Sequence, residues 1–329
     1  MKPYTYALLA AAAMCGLAAA ETAYTTPVGY VTETLAPSRD NLIGLTVHSP
    51  TVAAGTLDSA TSNSVTDAAV NFGTLLTSGS TYILEINNGS GEGYIQEITA
   101  WTGSTLTTPQ NISSVVVGGT TTYQVRKAPT ISEIFGATNS VGLTASADGS
   151  TTSADVILIP DGLGGFVNVF YYNDGTDQLW LDTAFNDAST LPLVYTDGLI
   201  VARKAGSPIN LTVTGEVKTT PTVFVVSPGD NYLGAVYPVG SQLGSSGMGP
   251  QMIPSTDGST TAADLILMPD GSGGYTTFMY YNDGTDQLWI DGLFNDSTAA
   301  PITSGFIFTS KSVAAKNIKD TPPASYSTL

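Results

Sequence analysis

Acidic side chains recur at the turns of two nearly identical segments, and they are the residues of this chain whose spacing best suits chemistry. Segments 148–187 and 257–296 are identical at 28 of 40 positions without a gap, and every Asp is shared. Each copy contains the turn Asn-Asp-Gly-Thr, which places Asp174 in the first and Asp283 in the second. Two carboxylates that share one proton can activate water. The repeat therefore permits a hydrolase hypothesis with these two residues as its catalytic pair.

The wider sequence gives this extracellular hydrolase hypothesis little support. Aspartic proteases carry Asp followed by Thr or Ser and then Gly, whereas both turns here read Asp-Gly-Thr. His48 is the single histidine, so a Ser-His-Asp arrangement has one candidate base. Cys15 is the single cysteine and lies in the N-terminal apolar segment, which leaves no thiol chemistry and no ordinary zinc site. Catalysis is therefore the alternative interpretation, and no catalytic residue is assigned under the main one.

The acidic turns also offer oxygen ligands for calcium, the only cofactor that the sequence suggests. Calcium takes six to eight oxygen ligands, and side chains around one turn can converge on it. The spacing matches neither an EF-hand nor a nonapeptide calcium repeat. Asp also opens and caps turns by bonding its own backbone, and this structural role is the alternative. The candidate ligands are Asp174, Asp177, Asp182, Asp283, Asp286 and Asp291.

Aromatic residues beside the same turns suggest a surface for glycan stacking. The apolar face of a sugar packs on an aromatic ring while its hydroxyls need polar partners. Trp180 and Trp289 hold matching positions, and Tyr172 and Tyr281 lie on the preceding strands. The alternative is that the tryptophans belong to the core, with Trp180 packed against Phe185. Adjacent residues on a strand point to opposite faces, so one tyrosine of each Tyr-Tyr pair is expected at the surface.

The elements that carry these residues are short strands separated by tight turns. In the first copy, apolar runs at 156–159, 166–172 and 179–181 are separated by Pro-Asp-Gly at 160–162 and Asn-Asp-Gly-Thr at 173–176. Asp-Gly and Asn-Gly between apolar runs are hairpin signals because these residues tolerate positive φ. Helical periodicity is scarce elsewhere. The sequence predicts an all-β protein made of antiparallel meanders, sandwich-like or barrel-like in form.

A weaker third copy upstream predicts a tandem array of three related units. Strand 83–86, the turn at 87–89 and strand 95–101 follow the same order as the two later copies, without their acidic residues. Self-similarity at a long period is typical of repeat architectures. The predicted organisation is a signal peptide at 1–20, a divergent β unit at 21–130, a second unit at 131–227 and a third unit, a duplicate of the second, at 228–329.

Composition indicates an exported protein without disulfides. Lys2, an apolar run and Ala18-Ala19-Ala20 have the pattern of a cleaved signal peptide, and no transmembrane segment is predicted in the mature chain. Asp and Glu total 27 against 10 Lys and Arg, so the net charge is −17, which argues against nucleic acid as a partner. Only 11% of residues are charged. The expected location is the periplasm, the cell surface or the extracellular space.

The chain resembles a family of secreted β-rich repeat proteins that occur as paralogues in Verrucomicrobia-type bacteria and have no agreed activity. The resemblance covers nearly the whole mature chain, and it implies export and a β-rich fold without implying site residues. The segments that carry it are TAYTTPVGYVT from Thr22, NLIGL from Asn41, GYIQEITAW from Gly93, YQVRKAPTISEIFG from Tyr123 and NDGTDQLWLD from Asn173.

The function that follows from the sequence is a non-enzymatic role at the cell envelope or outside the cell. Repeats, few charges, no usable base and no cofactor motif favour a structural, adhesive or glycan-binding protein. The expected partners are glycans or other envelope proteins. The rival class, an extracellular hydrolase, requires Asp174 and Asp283 to meet in one cleft, so their placement separates the two hypotheses.

Overall fold

The structure is a computed structural model that describes residues 26–204 and 206–329; the predicted signal peptide at 1–20 lies outside these residues. It confirms the all-β class, with 42% of residues in strands and 9% in helices. The sheets are antiparallel, and none of those in the described residues closes on itself. Among the described residues, no helix has both the length and the apolar character that a membrane crossing requires.

The first half of the chain contributes ten strands and two short helices. The strands are β1 (Val28–Leu35), β2 (Arg39–Ile43), β3 (Thr51–Thr56), β4 (Ser59–Ala60), β5 (Ser64–Thr66), β6 (Tyr82–Ile86), β7 (Ile95–Ile98), β8 (Ala100–Thr102), β9 (Thr105–Thr107) and β10 (Thr122–Lys127). The helices are α1 (Phe72–Leu75) and α2 (Ile131–Phe135). A capping box between Thr130 and Glu133 begins α2, because each side chain satisfies a backbone N–H of the other.

The rest of the chain contributes twelve strands. They are β11 (Val156–Pro160), β12 (Phe166–Asn173), β13 (Gln178–Asp182), β14 (Leu199–Arg203), β15 (Ile209–Glu216), β16 (Thr222–Val226), β17 (Gly229–Gly234), β18 (Leu265–Pro269), β19 (Tyr275–Asn282), β20 (Gln287–Asp291), β21 (Gly305–Ser310) and β22 (Lys316–Asp320). The predicted hairpins over 156–181 are present as β11, β12 and β13, joined in antiparallel register.

Strand order reveals two equivalent modules. One five-stranded sheet has the order β13-β12-β11-β14-β2, and the other has β20-β19-β18-β21-β17. Each is accompanied by a two-stranded ribbon, β1-β15 in the first module and β16-β22 in the second. The registers match strand by strand. Leu42 pairs with Ile200 in the first sheet, and its equivalent Tyr232 pairs with Ile307 in the second. The first module therefore takes β1 and β2 from the start of the chain.

Residues 51–127 form a separate body inserted between β2 and β11. It contains two four-stranded sheets, β3-β10-β6-β7 and β4-β5-β9-β8, around its own hydrophobic core. The predicted threefold repeat is not confirmed. The unit boundaries at 130/131 and 227/228 remain a prediction. Strand pairing crosses the first of them, because β2 completes a sheet with β14.

The inner faces of both modules share one hydrophobic core, and the outer faces meet in a second, smaller contact. Alternation along β12 separates the two faces of the sheet, since Val169 and Tyr171 belong to the large core while Phe170 and Tyr172 lie on the other face in a small cluster of their own. Near the module boundary, Leu42 and Ile200 pack against Ile307 of the other sheet.

Candidate functional site

Asp174 and Asp283 each hold their own turn. Asp174 lies between β12 and β13, where its Oδ1 accepts hydrogen bonds from the backbone N–H of Thr176 and Asp177, both at 2.8 Å. Its Oδ2 accepts one from the Tyr172 hydroxyl at 3.0 Å. Asp283 repeats this arrangement between β19 and β20, with Thr285, Asp286 and Tyr281 as donors. The Asn-Asp-Gly-Thr turns are thus closed by their own aspartates.

The structure places the two carboxylates of the hydrolase hypothesis in separate modules. They lie on different turns of different sheets, and both are exposed. The backbone N–H groups of Asp177 and Thr176, followed by the Tyr172 hydroxyl, lower the pKa of Asp174, and the matching donors lower the pKa of Asp283. A pair that shares a proton requires one carboxyl with a raised pKa. The geometry gives the hydrolase hypothesis no support.

The other four predicted calcium ligands are also placed as turn residues. Asp182 Oδ1 accepts from the backbone N–H of Ala184 and Asn186, and its Oδ2 accepts from the Asn186 side chain. Asp291 makes the equivalent bonds with Leu293 and Asn295. Asp177 and Asp286 are exposed. Within residues 26–204 and 206–329, no group of three or more His, Cys, Asp or Glu side chains has metal-binding geometry. Calcium binding stays an untested prediction.

Both tryptophans are core residues, so the prediction that their rings stack on a glycan is corrected here. Trp180 is fully buried, and its indole N–H donates to the carbonyl oxygen of Gly136 at 2.9 Å. Its ring packs against Phe135 and Tyr171. Trp289 is 2% exposed. The cause is the period of the strand, which turns Trp180 and Tyr171 to the inner face together. Phe185, the predicted partner of Trp180, instead packs against Phe170, with ring centroids 6.5 Å apart.

The outer tyrosines are accessible, as the alternation predicts. Tyr172 and Tyr281 are partly exposed, while their neighbours Tyr171 and Tyr280 are buried. The hydrogen bond to Asp174, with smaller effects of burial and the Asp174 charge, raises the pKa of Tyr172. These two phenols are the part of the predicted glycan-stacking set that the structure leaves at the surface.

Sequence reasoning missed the two most exposed aromatic rings near these turns. Phe185 and Phe294 follow β13 and β20, and each is 62% exposed. Their φ angles are +63° and +67°, a left-handed conformation that is rare for a bulky residue. The Phe185 ring lies over Gly149, where an added Cβ would be 2.7 Å from its Cε1 atom. Phe294 covers Gly258 in the same way.

The turn geometry explains the left-handed phenylalanines. The N–H of Phe185 bonds to the carbonyl oxygen of Asp182, and the N–H of Asp182 bonds back to the carbonyl oxygen of Asn186. This is a three-residue hairpin loop whose last position needs a left-handed residue, normally Gly. The signal available in the sequence was Phe directly before Asn-Asp in both copies, after Asp and two further residues. The pattern alone places this Phe in the core, because Phe is usually buried.

We name two surfaces from these residues. The first ring surface comprises Tyr172, Phe185 and Asp148, and the second ring surface comprises Tyr281, Phe294 and Asp257. The loop at 148–150 links the members of the first, since Gly149 lies under Phe185 and the Asp148 charge acts on the Tyr172 hydroxyl. Asp148 accepts from the backbone N–H of Ser150 at 2.9 Å. Each ring surface therefore presents two aromatic rings beside carboxylates.

The single histidine belongs to a buried polar junction rather than to a catalytic site. Burial, which outweighs a hydrogen bond to the Val236 carbonyl oxygen, lowers the pKa of His48 to about 4. The His48 ring lies 4.5 Å from that of Tyr195. The hydroxyl of Tyr195 donates to Glu85 Oε1 at 3.0 Å. His48 is thus neutral near pH 7 and 3% exposed, so a substrate cannot reach it.

Glu85 is the centre of this junction, which joins the inserted body to the modules. Arg126 Nε lies 3.2 Å from Glu85 Oε1, and Lys218 Nζ lies 3.4 Å from Oε2. Arg126 also pairs with Glu216. Burial raises the pKa of Glu85, but the charges of Lys218 and Arg126 outweigh it and hold that pKa at about 2. Two carboxylates therefore neutralise two cations away from water.

Comparison of the chain with models of protein families, with curated proteins and with solved structures finds no match. The resemblance to secreted repeat proteins consequently stays a prediction.

Proposed function

We propose that this protein is an exported, non-enzymatic β-protein that binds glycan through its two ring surfaces, in a structural or adhesive role at the cell envelope or outside the cell. The observation that carries the proposal is the exposed left-handed phenylalanine of each module. A left-handed residue other than Gly, Asn or Asp costs about 1–2 kcal/mol. A ring held in the solvent at that cost suits a contact made outside the chain.

The neighbours of the phenylalanines favour a sugar over an apolar partner. A pyranose has an apolar face that packs on an aromatic ring and hydroxyls that need acceptors at its edge. Phe185 and Tyr172 supply rings, and Asp148 supplies a carboxylate beside them. The second ring surface offers the same groups. Because the chain carries a net charge of −17, the fitting glycans are neutral or basic polymers.

Two ring surfaces on one chain make a polymer the better ligand. A second binding event on the same polymer becomes intramolecular, so the apparent affinity exceeds that of either surface alone by orders of magnitude when the spacing fits. Weak sugar contacts then suffice for adhesion. This argument also separates the proposal from a lectin with one deep pocket, which would bind a short oligosaccharide as tightly as a polymer.

The test is co-sedimentation of the mature protein with insoluble neutral polysaccharides, namely cellulose, chitin and β-1,3-glucan. We expect the native chain to bind at least one of them and the double variant Phe185→Gly with Phe294→Gly to lose binding about tenfold or more. Glycine suits the left-handed position, so the fold is retained. Either single variant should keep part of the binding, because one ring surface remains.

The matched control is Leu163→Gly, which removes another exposed apolar side chain from a turn. Leu163 is 92% exposed and lies between β11 and β12, outside both ring surfaces. Its loss should leave sedimentation unchanged. Equal binding by the native chain and the double variant, or no binding to any of the three polymers, would contradict the proposal.

A further inference from the structure

A cleft of about 960 Å³ separates the two modules on one side of their contact. Its walls are the turn that joins β1 to β2 in the first module and the turn that joins β18 to β19 in the second. Arg39 spans the cleft by donating to the carbonyl oxygen of Gly271. The volume is within the range of about 300–1,000 Å³ that small-molecule sites occupy. We call it the intermodule cleft.

Comparison of the two modules explains why this space exists. On the opposite side of the contact, Phe166 of the first module packs edge to face on Tyr232 of the second, with ring centroids 4.9 Å apart. The strand registers make Tyr275 the equivalent of Phe166 and Leu42 the equivalent of Tyr232. Both Tyr275 and Leu42 line the intermodule cleft. An aromatic pair on one side is thus replaced by a ring and a smaller aliphatic side chain on the other.

The exposure and the environment of Tyr275 agree with this difference. Its side chain is 39% exposed, although its equivalent, Phe166, packs against a partner ring. Burial, followed by the Tyr232 hydroxyl and the Asp40 charge, raises the pKa of Tyr275. Asp40 and Tyr275 both line the cleft, so the carboxylate and the phenol border the same space.

The walls of the cleft mix apolar and polar residues, and they include three charged side chains. Glu33 and Asp40 supply carboxylates, and Arg39, the one cation among the lining residues, is already bound to Gly271. Anions would meet this acidic lining and the negative charge of the whole chain, so they are disfavoured. Carboxylates beside an aromatic ring are instead acceptors for hydroxyl groups.

We infer that the intermodule cleft binds a neutral saccharide. One sugar ring occupies, against Tyr275, the place that Tyr232 takes against Phe166, and its hydroxyls donate hydrogen bonds to Asp40 and Glu33. The cleft is separate from both ring surfaces and would act on a short oligosaccharide or a chain end. The inference therefore stands independently of polymer binding by the ring surfaces.

The experiment measures binding of maltotriose, cellotriose and triacetylchitotriose by isothermal titration calorimetry. The protein carries Phe185→Gly and Phe294→Gly, so the ring surfaces do not contribute. We expect at least one trisaccharide to bind with a Kd in the millimolar range or tighter. Tyr275→Ala and Asp40→Ala should each weaken it about tenfold. Tyr30→Ala is the matched control, because Tyr30 is 75% exposed on β1 and does not line the cleft.

A filling variant gives a second, independent readout. Leu42→Tyr restores the aromatic pair of the opposite side, and we expect it to abolish trisaccharide binding. Leu42→Tyr also alters packing between the modules, and Asp40→Ala controls for this. Asp40 is exposed, so its loss leaves the module contact intact. The inference fails if none of the three sugars binds at millimolar concentration, or if Tyr275→Ala and Asp40→Ala bind as well as the control. Polymer sedimentation by the native chain would be unaffected by either result.

Discussion

Gly44 and Gly234 approach each other backbone to backbone where the two modules meet. A Cβ atom added to Gly44 would lie 2.6 Å from Cα of Gly234 and 2.0 Å from the carbonyl oxygen of Ser304. Gly44 directly follows β2, and Gly234 is the last residue of the equivalent strand, β17, since the registers match Leu42 with Tyr232. The module contact therefore depends on the absence of side chains at a pair of equivalent positions.

Gly44→Ala tests this dependence. We expect the substitution to lower the free energy of unfolding by about 3 kcal/mol or more, because the backbone atoms that the methyl group meets cannot move without separating the modules. The measurement is chemical denaturation followed by near-ultraviolet circular dichroism. Gly29→Ala is the matched control, since its added Cβ would meet only Val217 Cγ2, at 3.7 Å. A loss no larger than that of the control would show that the contact is not rigid.

Glu85→Gln tests the buried junction. The change leaves Arg126 and Lys218 with Glu216 as the remaining carboxylate, and an uncompensated buried charge costs about 3–5 kcal/mol. We expect a loss of that size in the free energy of unfolding.

Two further variants make the junction test specific. Glu133→Gln removes a surface pair with Lys127, so it should cost no more than about 1 kcal/mol. The double variant Glu85→Gln with Lys218→Met should lose less unfolding free energy than the sum of the losses of the two single variants. The reason is that it removes both charges of one ion pair and leaves neither of them unpaired. Strict additivity would contradict the coupling between Glu85 and Lys218.

The all-β class and the turns were predictable from local sequence, whereas the module boundaries were not. Asp-Gly and Asn-Gly fix the local backbone, so the hairpins from 156 to 181 are present as expected. The pairing of β2 with β14 joins residues about 160 positions apart, and no local pattern encodes such a partner. The predicted unit 131–227 therefore omits β2, the strand that pairs with β14 in the structure.

The candidate site was predictable in position but not in its residues. Tyr172 and Tyr281 are partly exposed, and alternation along a strand predicts that one tyrosine of each pair faces outwards without fixing which one. Trp180 was misplaced because its exposure depends on the register of β13 against β12, which turns it inwards beside Tyr171. Phe185 was missed because its exposure results from a left-handed turn position that carries no distinctive residue.

Stability should fall as the pH rises from neutral to mildly alkaline, with Asp320 as a principal cause. Burial raises the pKa of Asp320 to about 8, from an ordinary value of 3.8. Between these values the unfolded chain loses the proton and the folded chain keeps it, so unfolding becomes easier as pH rises. Burial and Glu97 raise the pKa of Asp197 to about 7, in the same direction.

The measurement is the unfolding free energy of the native chain and Asp320→Asn at intervals from pH 6.5 to 8.5. His48 has the opposite sign, because its lowered pKa costs stability only as pH falls below about 6.5. It therefore does not interfere in this range. We expect the variant to lose most of the downward slope above pH 7. Parallel curves for the two proteins would show that Asp320 is ionised in the folded state.

Two substitutions at Phe185 separate the backbone strain of the turn from the contribution of the ring. Phe185→Gly and Phe185→Ala both remove the phenyl group and its contact with Phe170, whose ring centroid lies 6.5 Å away. Only glycine takes φ of +63° without a steric cost, so the Gly variant should be the more stable by about 1 kcal/mol. Thermal denaturation of both variants, and of the Phe294 equivalents, measures the difference. If the Ala variant equals the Gly variant, the left-handed turn is not under strain, and the argument that the ring is held outwards at a cost is lost. If the Gly variant is more stable while both variants lose polysaccharide binding equally, binding depends on the ring and the strain lies in the backbone of the turn.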